Sequence, residues 1–226
     1  MKKAFTLVEL VLVVVIIGIV SAVMVPRFNR STIDEAAHQI ISHIRYTQHL
    51  ALMDDVYDPK DLNWSKKRWQ IFFANTNGSD DQWAYTIFSD SRGTSTGNPD
   101  VKEIAKNPLN PKTYLTGGYS AGTIPYYKDG DENKGLDTRI TKEMNLGHKH
   151  NIVNMIFQHC GGNSRRIAFD HLGRPLVKNS NTLTGAYRDG SGSHLLQQRC
   201  TITMTDSDGK SVQIAIEPET GYAHIL

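Results

Sequence analysis

Hydrophobic and polar residues alternate along this chain in three regimes. From Leu10 to Val25 the sequence is an almost unbroken run of Val, Ile and Leu, closed by Pro26. A helix from Phe5 to Pro26 would be roughly 33 Å long at 1.5 Å per residue, enough to span a bilayer core. In the second regime, Thr32 to Asp54, apolar residues recur at Ile33, Ala37, Ile40, Ile41, Ile44 and Ala51. That spacing predicts one apolar stripe on an amphipathic helix. Ser31 or Thr32 suits its cap, and Asp34 and Glu35 suit the positive end of its dipole. Pro26 and Asn29 are read as kinking the helix, not ending it. The two regimes then form one long N-terminal helix, bare in its first half and packed on a sheet in its second.

After Asp54 the period shortens toward two. Trp69–Ala74 and Trp83–Ser89 read as aromatic-rich strands, separated by the turn-forming stretch Asn75–Asp80. Residues 90–150 show little periodicity and carry many Gly and Pro. They read as a long insertion with short strands around Tyr114 and Tyr126, and loops of that length are often functional. Ile152–His159 fits a strand or a short helix. Arg166–Phe169 reads as a strand followed by a turn at Asp170–Pro175. Cys200–Thr205 and Ser211–Ile216 read as a hairpin closed by Asp206-Ser207-Asp208-Gly209. A turn at Glu217–Gly221 precedes a last short strand to Ile225.

Composition narrows the function. About 200 of the 226 residues lie beyond the apolar run, enough for one domain with its own core. The net charge of +2 is too mild to imply a nucleic-acid partner by itself. One acidic residue, Glu9, lies at the entrance of the apolar run, and Lys2 and Lys3 precede it. An unpaired carboxylate in lipid is costly, so Glu9 suggests a function and a missing partner. A secretory signal peptide would explain the lysines, with a small-x-small site at Ser21-Ala22-Val23, but not Glu9, and the run exceeds the usual apolar region. A plain membrane anchor is the other simple reading. The lysines would keep its N-terminus cytoplasmic and place the rest of the chain outside.

The order Met1-Lys2-Lys3-Ala4, then Phe5-Thr6-Leu7-Val8-Glu9, then the Val/Ile/Leu run resembles the leader of type IV prepilins and type II secretion pseudopilins. The resemblance implies cleavage by prepilin peptidase between Ala4 and Phe5 and N-methylation of Phe5. It also implies an assembly role for Glu9, which would pair with the Phe5 amine of a neighbouring subunit. Ala4 stands where the family usually has glycine, which bears on the efficiency of cleavage. Two later stretches resemble GspH/FimT-type minor pilins. One is the helix end Ile44–Ala51. The other is Phe169, Asp170, Gly173 and Arg174, followed by Pro218 and Gly221. The implied fold is α+β and pilin-like, a long N-terminal helix with a transmembrane first half packed on an antiparallel β-sheet head. The implied partition is a leader at 1–4, an apolar helix at 5–26, an amphipathic helix at 27–54 and a β-rich head at 55–226.

Export makes a Cys160–Cys200 disulfide the expected state, with two buried free thiols as the alternative. Closing about 40 residues would stabilise by about 4 kcal/mol in the chain-entropy treatment. Asp129, Asp131, Asn133 and Asp137 place oxygen donors at a spacing similar to a calcium loop. Glycine falls one place late there, Ile140 stands where a Glu belongs, and a solvated acidic turn explains the stretch as well. No other cofactor is implied. His148, His150, His159 and His194 lie near the cysteines, but zinc would need reduced thiols. Asp170 beside His171 lacks a nucleophile motif, phosphate-binding glycine loops are absent, and no enzyme is read. Arg165, Arg166, Arg174, Lys178, Arg188 and Arg199 gather near the C-terminus. Some FimT-like pilins bind DNA through this region, though here Asp189, Asp206, Asp208, Glu217 and Glu219 are interleaved.

The reading is therefore a minor pilin or pseudopilin, a structural subunit of a type II secretion pseudopilus or a type IV pilus. Its expected partners are other pilins, the prepilin peptidase, the inner-membrane assembly platform and the membrane itself. The alternative is a pilus-displayed binding module, a DNA-uptake receptor or adhesin.

Overall fold

The computed structural model describes residues 6–24, 32–91, 97–119, 126–127, 136–161, 164–177, 184–190 and 192–226. Its first two elements are the helices α1 (Leu7–Met24) and α2 (Thr32–Met53). They are built on opposite principles. The side chains of α1 from Leu7 to Val20 are exposed all round its circumference, because no position in it prefers one side. In α2 the residues Ile33, Ala36, Ala37, Ile40, Ile41, Ile44, Thr47 and Ala51 are buried, which is the stripe the sequence predicts. The bend expected at Pro26 and Asn29 lies outside the described residues.

The head follows in chain order. The first hairpin is β1 (Trp69–Asn75) and β2 (Trp83–Ser89). Next come β3 (Lys106–Asn107), β4 (Asn110–Tyr114) and the short helix α3 (Leu146–His150). The middle strands are β5 (Ile152–Gln158), β6 (Arg166–Phe169) and β7 (Pro175–Leu176). The last are β8 (Arg188–Asp189), β9 (Gly192–Ser193), β10 (Cys200–Asp206), β11 (Ser211–Ile216) and β12 (Ala223–Ile225). The strands form two four-stranded antiparallel sheets, ordered β2-β1-β6-β7 and β12-β11-β10-β5, with two small hairpins, β3-β4 and β8-β9. Helix α2 packs against strands of both larger sheets, so one core runs from Ile40 and Ile44 through Ile71, Phe73 and Ile87 to Ile202 and Ile214. The fold is α+β, with a helical spine on antiparallel sheets.

Register follows from the alternation. Ile71 pairs with Ile87 and Phe73 with Tyr85 on the core face of the first hairpin. Cys200, Ile202 and Met204 point inward from β10, while Thr201, Thr203 and Thr205 point outward. Ile152–Gln158, ambiguous in sequence, is a strand because β10 offers it a ladder.

Two features differ from the sequence expectation. All seven residues of β2 are buried, although an edge strand normally keeps one wet face. The cause is the segment 97–119, which does not hang free but closes the edge of β2. Ile87 N–H donates to the Leu115 carbonyl (3.0 Å), Ala105 N–H to that of Ile87 (2.9 Å) and Gly117 N–H to that of Tyr85 (3.1 Å). The pairing is irregular, which is why it leaves little periodicity in the sequence. Tyr114 does fall in a short strand. Tyr126 does not, and its carbonyl instead accepts from Asp137 N–H at 3.3 Å.

Candidate functional site: an apolar helix on a cross-braced head

Glu9 lies in the first turn of α1. Its Oε2 accepts from Thr6 N–H (2.9 Å) and from the Thr6 hydroxyl (2.8 Å), and Thr6 Oγ1 lies 3.3 Å from the Glu9 amide as its acceptor. This is a reciprocal capping box, which explains why the helix starts where it does. It also holds a carboxylate at the positive end of a helix, placed to receive a cation. Ala4 and Phe5 lie outside the described residues. Around Glu9 the apolar side chains are uncovered, with Leu7 78 % exposed and Val14 62 %. A contiguous exposed apolar surface of this kind marks a contact with lipid or protein. Counted over the described residues, no helix is long and apolar enough to cross a membrane.

The other end of the spine is where two separate sequence motifs meet. Gln48 Nε2 donates to the carbonyls of Gly173 (2.7 Å) and Thr220 (2.8 Å). One amide near the end of α2 thus ties the Asp170–Arg174 turn to the Pro218–Gly221 turn. Both glycines have positive φ, +77° at Gly173 and +63° at Gly221, and a Cβ at Gly221 would lie 2.8 Å from Gln48 Nε2 and 2.9 Å from the Gly173 carbonyl oxygen. The first turn is fixed by Asp170, whose carboxylate accepts from the amides of Leu172 (3.0 Å) and Arg174 (2.8 Å) and from the Arg174 guanidinium. Asp170, beside His171 in the sequence, is thus engaged by three donors of its own turn.

A second brace was not legible in the sequence. The buried Arg68 guanidinium stacks over Trp64 (5.3 Å) and over Tyr187 (4.5 Å), and Arg174 stacks on the same tyrosine (5.2 Å). Arg68 also donates to the Ala186 carbonyl at 2.7 Å. This cation–π ladder holds the β8-β9 hairpin against the start of β1. Only an alternation of Arg and aromatic residues at distant positions hints at it, and that is too common a pattern to single out.

Cys160 and Cys200 form a disulfide across 40 residues. It joins the end of β5 to the start of β10, closing the second sheet where those strands diverge. The thiols are therefore not metal ligands. Among the described residues no group of three His, Cys, Asp or Glu is placed to hold a metal. Of the candidate calcium ligands, Asp129, Asp131 and Asn133 lie outside the described residues. Asp137 takes a bidentate contact from Arg139, with Nη2 at 2.7 Å. Burial pushes its carboxyl up, but the hydrogen bonds and charge of Arg139 outweigh this and hold it below the usual range.

Four of the C-terminal basic residues, Arg165, Arg166, Arg174 and Arg199, have partners within the head, and Arg188 is exposed. Arg166 is buried over Phe72 (4.3 Å), donates to the Gly97 carbonyl and to Gln70 Oε1, and burial lowers its pKa to about 10. Arg174 is held by Asp170, Arg199 by Glu217 (2.7 Å), and Arg165 lies over Trp83 (4.9 Å). Lys178 lies outside the described residues.

The geometry defines a class, a cross-braced α+β head carried on an amphipathic helix and preceded by an uncovered apolar helix with a carboxylate in its first turn. Residues 1–25 match the prokaryotic N-terminal methylation motif, which marks a type IV prepilin-like or pseudopilin-like N-terminus. Comparisons with curated protein sequences and with solved structures returned no match.

Proposed function

We propose that the chain is a minor pilin or pseudopilin of the GspH/FimT type, a structural subunit of a type II secretion pseudopilus or a type IV pilus. One observation carries this reading. The methylation motif leads directly into a helix whose apolar side chains are uncovered and whose first turn holds Glu9. Prepilin peptidase cuts between Ala4 and Phe5, and the new Phe5 amine is methylated. In this reading residues 5–26 wait in the inner membrane, N-terminus cytoplasmic, with the head outside the cytoplasm. On extraction by the assembly platform the apolar helices bundle and the heads form the filament surface. Glu9 accepts the Phe5 ammonium of a neighbouring subunit, so that each buried charge satisfies the other in a medium that penalises both alone. The contacts that hold the Asp170 turn, the Gln48 brace and the C-terminal arginines serve the rigidity of the head, which supports a structural role over an enzymatic or DNA-binding one.

The test is intact-mass and N-terminal analysis of membrane-expressed protein with and without the peptidase. Loss of residues 1–4 with a methylated Phe5 is expected. An uncut chain, or a cut near Ala22, would overturn the reading. Glu9→Ala should then be cut normally but enter filaments poorly, and equal incorporation with wild type would remove the proposed role of Glu9.

A further inference from the structure

The two larger sheets have four edges, and among the described residues two of them are bonded to further backbone of the chain. The edge of β2 is bonded to residues 103–117. The edge of β7 is bonded to residues 194–196, through Val177 N–H to the His194 carbonyl (3.1 Å) and Leu196 N–H to that of Pro175 (2.9 Å). Strand β12 has only three residues, and Arg45 donates to its Ala223 carbonyl at 2.9 Å. Strand β5 is the longer of the two edges without a further backbone partner. Among the described residues no backbone hydrogen bond joins it to anything but β10. It has seven residues, Ile-Val-Asn-Met-Ile-Phe-Gln, with no charge and no proline. Its Val153 and Ile156 are 57 % and 48 % exposed. Long, uncharged, apolar edges invite another strand, and native heads blunt them unless one is meant to dock. The single irregularity in β5 is the bulge at its start, where Asp206 pairs with Ile152 and Thr205 with Asn154. Residues 154–158 are regular beyond it.

We propose that β5 pairs antiparallel with β5 of a second copy, about a two-fold axis at Ile156. The strand is complementary to itself in this register. Ile156 faces Ile156 of the second copy, so the exposed side chain covers its own counterpart. Met155 faces Phe157, a sulfur–aromatic pair extending the core side. Asn154 faces Gln158, two amides able to hydrogen-bond on the outer face. No like charges meet. A register centred on Met155 would instead set Asn154 against Ile156 and draw the bulge into the ladder. The pairing joins two four-stranded sheets into one of eight. Five residues per copy make a small contact beside the roughly 1,200–2,000 Å² of a stable interface. It therefore gains its strength where copies are concentrated on one membrane or filament. It does not depend on how the N-terminus is processed.

The test uses the full chain in membranes and single-cysteine cross-linking, with the native cysteines already joined. Ile156→Cys should give at least about tenfold more oxidised dimer than Gln213→Cys, an exposed position on β11, because opposed residues in an antiparallel pair lie about 5 Å apart at Cβ. Asn154→Cys mixed with Gln158→Cys should cross-link, while each alone should not. Adding Ile156→Lys should abolish that product by setting Lys against Lys, with the thermal melt of the head unchanged. Equal yields at positions 156 and 213, no dimer at 156, or a product of a different mass would each overturn self-pairing.

Discussion

Helices α1 and α2 stand next to each other in the chain and differ in what covers their apolar side chains. From Leu7 to Ser21 every position of α1 is exposed and nearly all are apolar, whereas α2 divides cleanly into a buried stripe and a polar face. The second helix is stabilised by the sheets it covers. The first has no such partner among the described residues, where its helicity rests on its own backbone bonds and on the Thr6–Glu9 cap. The difference teaches that one helix is a component of the fold and the other an attachment offered to something else. Disrupting α2 should therefore break the head, and disrupting α1 should leave the head intact.

The largest effect should follow from Ile40→Asp. Ile40 is fully buried, and an unpaired carboxylate there should cost on the order of 5 kcal/mol, enough to unfold a marginal domain. Val14→Asp on α1 should leave the melting temperature of the head unchanged in detergent while lowering membrane retention. A head equally destabilised by both would erase the contrast between the helices. Next is the disulfide. Cys160→Ser with Cys200→Ser should lower unfolding free energy by about 4 kcal/mol, measured by chemical denaturation under oxidising conditions.

A smaller effect concerns His43, on the flank of α2. Its Nδ1 lies 2.6 Å from the buried Tyr85 hydroxyl, and burial lowers its pKa to about 4. The folded state thus favours neutral imidazole, while the unfolded chain protonates near 6.5. Stability from this group is complete above pH 6.5 and is lost as pH falls from 6.5 toward 4, by on the order of 2 kcal/mol. His43→Gln should flatten that part of the stability–pH curve, and an unchanged slope would show that other groups set it. The smallest effect belongs to Gln48→Ala, which removes two hydrogen bonds and should cost about 1–2 kcal/mol. Hydrogen exchange should then rise in the Asp170 and Pro218 turns and not in β1.

How much was legible varies with the range of the interactions. The α2 stripe, the β1-β2 and β10-β11 hairpins and the Asp170 turn are local, and local periodicity and turn chemistry predict them. Residues 97–119 escaped because they close the edge of β2 through backbone bonds, which place little demand on side-chain pattern. Arg68 and Tyr187 escaped because their partners lie more than a hundred residues apart.

The sequence alone determined that an uncapturable apolar run, headed by one carboxylate, precedes a foldable head, because lipid-like composition and helical spacing are properties of neighbouring residues. Only the tertiary structure decided that Gln48 joins two turns 47 residues apart and that, among the described residues, β5 is the longest sheet edge without a further backbone partner. Those outcomes depend on which distant strands find one another, and the chain carries no local pattern for that choice.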